Sequence, residues 1–570
     1  MNETPTHKFN FKNPIVILSL TAVVVFGLIF GVILLTQNWG KTSTQINEEA
    51  LLKRLDKLYT KINVTVLQPR KDNSVEMPTT LTSALPDINS SFPLQVSAAT
   101  EEFIEIFSSP EKAGANYESW LIDVANNFNK SGAQVDGKNV SVAVRNISSG
   151  TGVDYISSGK YTPDVFAPSA ELWGEMLSYQ GKKVSLAEKS IAGNVAGIVL
   201  SKAKHAEMVQ QYGAVNSKTI VDAVLKGELA MGYTNPFVST TGLNFLLSTL
   251  YTIDSSTPLG DEAISQFQKF QDNIPYVAYN TMQMRESAKN GSLNGFVLEY
   301  QTYVNAPDIK SNYIFTPFGV RHDQPVYEIG DLSPTKQEIV SQFIAYCKTP
   351  EMQRLASEKG FNGLPEYVYE FPPASGEIIA SAQQIWKKEK HGSSDLSVVF
   401  VADVSGSMEG DPILKLKESL HSASNVILPE TRVGIVTFSS HVNIALPIAP
   451  FDINQRAYFS GAVKAMRAEG STAMFDGIVV AMKMLLEEQE KNSNTKLMLI
   501  VLTDGETNVG CNLSDVEGII RDLKLPIYTI GYNANIAVLE NLSQINEATS
   551  INAETDDVIY KIQSLFNAQM

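Results

Sequence analysis

Residues Leu396–Gly410 read Leu-Ser-Val-Val-Phe-Val-Ala-Asp-Val-Ser-Gly-Ser-Met-Glu-Gly. The stretch opens on a nearly unbroken apolar run to Ala402, rich in β-branched residues, which predicts a buried strand of a parallel sheet. Oxygen-bearing side chains then recur at alternate positions, Asp403, Ser405 and Ser407, just before an amphipathic helix starting near Pro412. Loops at the carboxyl ends of parallel strands are where α/β folds hold ligands. Oxygens at this spacing suit a hard cation, because Mg²⁺ takes octahedral oxygen ligands at about 2.0–2.1 Å and keeps part of its water.

Two later segments extend the pattern. Gly470-Ser471-Thr472 opens a helix, and Thr503-Asp504-Gly505 closes the apolar strand expected over Lys496–Leu502. Together the three segments resemble the metal-ion-dependent adhesion site of von Willebrand factor A domains, whose pattern is Asp-x-Ser-x-Ser, a distant Thr and a distant Asp. The resemblance implies that Ser405 and Ser407 bind Mg²⁺ or Mn²⁺ directly and that Thr472 joins them when a ligand is engaged. It implies that Asp403 and Asp504 act mainly through water and hydrogen bonds. A shell of neutral hydroxyls leaves most of the metal's charge uncancelled, so an acidic residue of a protein partner would complete the octahedron with a strong Coulomb gain. Around this motif, residues 396–570 alternate strand and helix and predict a Rossmann-like, doubly wound α/β domain with a short edge strand at Val442–Leu446.

The whole chain has 570 residues, 44% hydrophobic and 19% charged, enough for several ordinary globular domains. A net charge of −16 without a basic block argues against nucleic acid as a partner. Two cysteines, Cys347 and Cys511, fall in different expected domains, which excludes a disulfide framework.

Residues 1–13 read as a cytoplasmic tail. The apolar run within 14–36 would make a helix roughly 33 Å long, enough to cross a hydrocarbon core. That predicts an uncleaved signal anchor and a single-pass protein of the cell membrane, N-terminus cytoplasmic and later domains extracellular. Residues 37–93 read as stalk and linker. Leu51, Leu55, Leu58 and Ile62 share one helical face, either as a short coiled coil or as a helix packed on the next domain. A Pro-, Ser-, Thr- and Asn-rich spacer follows.

Over 94–373, strands three times deliver small hydroxyl residues to a helix start, first at Ser108-Ser109-Pro110, then around Thr151, then at Ser169. Such starts offer free backbone N–H groups and a positive dipole end, which favour an anion or another acceptor-rich ligand. The succession resembles the first lobe of bacterial extracellular solute-binding proteins, and Pro350-Glu351 with Gly360-Phe361 resembles their closing segment. The resemblance implies a two-lobed, type II periplasmic-binding fold. A small solute would occupy a cleft lined by Ser108, Ser109, Thr151, Ser169, Thr234 and Asn235. No basic residue is evident at these loops, which suits a neutral solute or an oxyanion held by neutral donors. Residues 374–395 read as a connector with a helix around Trp386 and a solvated charge run at Lys387–Lys390.

These parts predict an anchored surface receptor or adhesion protein; the alternative is the substrate-binding receptor of a transporter with the metal-site domain as a docking accessory. Catalysis is not expected. A phosphatase of similar shape needs a second acid where Ser405 stands, and neither a His-Glu-x-x-His helix nor a phosphate loop occurs.

Overall fold

The computed structural model describes residues 43–75 and 85–552, apart from scattered positions within 279–293 and 533–549 and the single residues 393, 426, 506 and 524. The strand expected from Leu396 is Asp395–Asp403, buried from Leu396 onward. It lies fourth in a seven-stranded sheet, flanked by Arg432–Phe438 and Thr495–Thr503, both parallel to it. Being covered on both faces explains its apolar run. On one side lie Leu416, Leu420 and Phe459; on the other, the helix Met474–Lys491 buries Ile478 and Leu485 against Val399 and Val401.

Val442–Pro450 runs antiparallel to Arg432–Phe438, and it does not form the edge that the sequence predicts. Val64–Val66 pairs with it in parallel, in register with Val442–Ile444, and Leu67 N donates to Ile444 O at 2.9 Å. The expectation of a free stalk over 37–93 is therefore corrected. The helix Ser43–Tyr59 lays Leu51 and Leu55, 8% and 1% exposed, on the core beside Val399, Ile478 and Ile519. Its apolar face turns to the last domain of the chain, against the helices Met474–Lys491 and Leu513–Leu523, and not to the next domain. Burial of two leucines contributes about 3–6 kcal/mol, a driving force that an exposed stalk would forgo.

Residues 63–75 form a strap over this domain. Asp72 N donates to Ala457 O at 2.9 Å, and the Asp72 carboxylate accepts from Ser460 Oγ at 2.6 Å, Lys464 Nζ at 2.5 Å and Ser74 Oγ at 2.7 Å. Gly461 is required beneath it. A Cβ there would stand 1.7 Å from the Arg70 carbonyl oxygen.

The location assigned from sequence also needs correction. Among the described residues no helix is long and apolar enough to cross a membrane, and segment 14–36, on which a single-pass location rested, lies outside them.

Between strap and metal-site strand the chain builds two lobes. One sheet has the strand order Leu94–Val96, Lys138–Asn146, Glu102–Ser108, Val165–Ala167, Val326–Ile329, Val184–Glu188. The other has the order Tyr276–Ala278, Gly232–Thr234, Gly295–Glu299, Val195–Ser201, Tyr313–Arg321. The chain crosses between them near 189–194 and 322–325. The connector expected over 374–395 is built into this unit. Its helix Gly376–Glu389 buries Trp386, whose indole donates to Tyr233 Oη at 2.6 Å, while Gln383 donates to Pro236 O at 2.8 Å. The charge run is not a solvated face throughout, since Glu389 and Lys390 are buried, Lys390 over the Trp386 ring.

Candidate metal site and ligand cleft

Parallel strands that end side by side bring the metal-site residues together. Asp403 is the last residue of its strand and Asp504 follows Thr503 at the end of the neighbouring one. Asp403 is fully buried and uses both carboxylate oxygens. Oδ1 accepts from Ser405 N at 2.8 Å and Oδ2 from Thr503 Oγ1 at 2.5 Å. That arrangement turns the chain so that Ser405 and the exposed Ser407 share one side. Their hydroxyl oxygens lie 3.0 Å apart, and Ser407 Oγ donates to Asp504 Oδ1 at 2.9 Å.

Thr472 arrives on a separate loop. Gly470 O accepts from Gly406 N at 2.9 Å, which ties that loop to the serine turn. Gly470 has φ +81°, and a Cβ there would meet Ser440 Oγ at 2.6 Å. Ser440 Oγ accepts from Ser471 N, and the Thr472 backbone exchanges hydrogen bonds with Asn508, Thr472 N to Asn508 Oδ1 and Asn508 N to Thr472 O, each at 2.9 Å. Thr503, Ser440 and Asn508 were not singled out from sequence. Only the Thr503 role carries a local signal, the position just before Asp504.

The donor set fits an octahedral cation. Two oxygens bound cis to Mg²⁺ at about 2.05 Å stand about 2.9 Å apart, the spacing between Ser405, Ser407 and Asp504 oxygens. Burial pushes the Asp403 carboxyl up, opposed by its hydrogen bonds to Ser405 and Thr503, and pushes Asp504 up as well. A cation between them favours the ionised forms.

The cleft between the lobes is differently furnished. Ser108, Ser109, Thr151, Ser169, Thr234 and Asn235 are all buried. Ser109 and Ser169 converge, each donating to Glu111 Oε1, at 2.5 and 2.7 Å. Thr234 donates instead to Ser239 Oγ at 2.9 Å, within its own lobe. Ser108 Oγ and Asn235 Nδ2 make no hydrogen bond among the described residues. The absence of a basic residue is corrected. Lys112 is fully buried, donating to Ser109 Oγ at 2.5 Å and to Gln324 Oε1 at 2.7 Å, 3.6 Å from Glu111. Opposite stands Glu299, which accepts from Asn194 at 2.8 Å and meets His322 Nδ1 at 3.1 Å. Glu111 and Lys112 were missed because Pro110–Ala113 is a single helical turn whose inward face has no periodicity to read. The lobes also meet where Trp173 Nε1 donates to Thr240 Oγ1 at 2.8 Å, at the cleft, and where Arg285 pairs with Glu118 at 3.1 Å. The cavity there, lined by Ser109, Glu111, Ser149, Ser169, Thr240 and Glu299 among others, measures about 30 Å³.

Cys347 is buried among Ile339, Phe343 and Met352, as its place on an apolar stripe predicts. Cys511 is half-buried beside Asp476, and burial with that carboxylate pushes its thiol up to about 12.

Comparison with known proteins divides the chain at the same place. Residues 397–568 match the family model of the von Willebrand factor type A domain, and residues 113–362 that of the bacterial extracellular solute-binding protein. The human inter-alpha-trypsin inhibitor heavy chain H3 is 29% identical over 163 residues, 26% of this chain and 18% of its own length. The chain thus spans less than a fifth of that relative. Among solved structures, a von Willebrand factor type A protein from Catenulispora acidiphila is 18% identical over 30% of this chain and 42% of its own, with a TM-score of 0.28. A periplasmic thiamin binding protein is 12% identical over 52% of this chain and 99% of its own, with a TM-score of 0.39.

Proposed function

We propose that this chain, which carries a von Willebrand factor A domain and a solute-binding domain, is a two-site binding protein. At the first site Mg²⁺ or Mn²⁺ would sit against Ser405 and Ser407, with Thr472 available as a further ligand and Asp403 and Asp504 behind. The bound cation supplies an electrophilic position for the carboxylate of an acidic partner residue. The protein's own residues do the rest. Asp403 fixes the turn through Ser405 N, Thr503 fixes Asp403, and Asn508 sets the height of the Thr472 backbone. The observation that carries this reading is the chain of oxygens from Ser405 through Ser407 to Asp504, spaced 3.0 and 2.9 Å at the carboxyl end of a parallel sheet. Its chemistry is capture of a protein partner, not turnover.

At the second site a small solute would enter between the lobes. The cleft between the lobes is narrow, with a cavity of about 30 Å³, room for a few waters at most. A solute the size of a sugar or an amino acid would need the lobes to part, breaking Trp173–Thr240 and Arg285–Glu118. The test of the first site is thermal unfolding with Mg²⁺, Mn²⁺ or chelator. A binding cation raises the melting temperature of the wild type, since a ligand held only by the folded state stabilises it. No shift with either ion removes the metal reading. For the second site, a thermal-shift screen of oxyanions, sugars and amino acids should give a hit. The solute reading is lost if every class leaves the unfolding curve in place.

A further inference from the structure

A groove of about 820 Å³ runs from the metal loops to the strap. Its near wall includes Val404, Ser439 and Glu469, the residues next to Ser405, Ser440 and Gly470. They are laced together, Glu469 N donating to Val404 O at 2.8 Å and Val404 N to Phe438 O at 2.9 Å. Its far wall is strap, from Leu67 to Asp72, held down over Gly461. Ala462 and Met466 add buried apolar surface.

The groove carries a local excess of positive charge. Four cations, Arg70, Lys71, Lys464 and Arg467, line it against two carboxylates, Asp72 and Glu469. All four cations are exposed at its rim. Asp72 is already engaged by Lys464 and by the Ser460 and Ser74 hydroxyls. The lining is therefore net positive on a chain whose formal charge is −16. Complementary charge steers and orients a partner more than it adds raw affinity, and it does so best beside the anchoring contact.

We infer that the strap-lined groove takes an extended acidic segment of a partner protein, one carboxylate of which reaches the metal while others lie along Arg70 and Arg467. This rests on the metal reading above, and it adds that the strap, a segment far from the metal-site strand in sequence, is part of the partner site.

The test uses the full chain and a short fluorescent peptide alternating Asp and Gly, with a Lys and Gly peptide as control, read by anisotropy in Mg²⁺ or in chelator. Metal occupancy is followed separately by Mn²⁺ binding without peptide. The acidic peptide should bind in Mg²⁺ and the basic one should not. Arg70→Glu with Arg467→Glu should weaken peptide binding by about tenfold or more and leave Mn²⁺ binding unchanged. Ser405→Ala should remove the Mg²⁺ dependence. Peptide binding that needs Mg²⁺ yet ignores the double charge reversal would overturn the groove and spare the metal site. Binding that needs no metal but is lost on charge reversal would support the groove and sink the metal reading. Equal binding of both peptides, or of neither, would overturn the groove.

Discussion

In the proposed metal site Ser405 and Ser407 would matter because a hydroxyl ligand holds a cation without neutralising it. Removing one ligand oxygen leaves the turn intact, because Asp403 braces it through the Ser405 backbone N–H, not through the side chain. Ser405→Ala should therefore abolish the Mg²⁺-induced rise in melting temperature while moving the metal-free melting point little; calorimetry with and without chelator checks both. The five residues of this site could be proposed from sequence because each falls in a short local pattern at a strand or helix end, and the structure gathers Asp403, Ser405, Ser407 and Asp504 at neighbouring strand ends. Their supports could not, since Asn508 and Ser440 act on backbone groups about thirty residues distant, visible only once the loops meet. The cleft was less legible for another reason. Small hydroxyl residues at helix starts cap and line alike; Ser109 and Ser169 meet on Glu111, whereas Thr234 turns to Ser239 in its own lobe. Gly461 poses a sharper case, since nothing in a helical pattern shows that a remote carbonyl will lie on it. Gly461→Val should lift the strap, raising hydrogen exchange at Val64–Leu67 with the central strands unaffected.

The two central strands were legible almost to the residue. Asp395–Asp403 begins one residue before the expected Leu396, and Thr495–Thr503 exceeds the expected Lys496–Leu502 by one residue at each end. Long apolar runs bounded by turn residues leave little choice. The helix Ser43–Tyr59 was legible as a helix but not in its destination, because an apolar stripe says that it packs and not upon what. Leu55→Ala should cost about 2–5 kcal/mol, measured as a lower melting temperature of the metal-site domain; an unchanged melting point would return this helix to the role of a stalk. The strap should also respond to acid. The Lys464 ammonium, with the Ser460 and Ser74 hydroxyls, holds the Asp72 carboxyl well below the usual carboxylate range. A depressed native value means that this bond stabilises the docked strap at neutral pH and loses hold as pH falls below about 4. Protection from hydrogen exchange at Val64–Leu67, taken relative to the intrinsic rate at each pH, should fall there, and Asp72→Asn should show the same loss of protection already at neutral pH.

In the whole molecule the proposed metal site lies at the far end of its strands from the junction with the second lobe. Lys496 Nζ donates to Gln271 O of the second lobe at 3.4 Å, near the start of the strand Thr495–Thr503, whereas Asp504 lies just past its end. Such a strand spans about 26 Å at 3.3 Å per residue. The junction is loosely filled, leaving a cavity of about 890 Å³ between Asp272–Val277 on one side and Leu486 and Tyr528 on the other. A solute in the cleft should accordingly leave the Mn²⁺ dissociation constant unchanged within about twofold, since coupling needs a shared element with two arrangements; titration of the metal with and without the solute decides it. The domain order expected from sequence, one module after another, missed that the metal-site domain is assembled from both sides of the solute-binding unit, with residues 43–75 before it and 395–552 after it. One consequence concerns breakage. A single proteolytic nick within 76–84 would separate the chain into two pieces that remain joined, the smaller clasped by its three-residue strand, its two leucines and the Asp72 knot, so that native gels would show one species where denaturing gels show two.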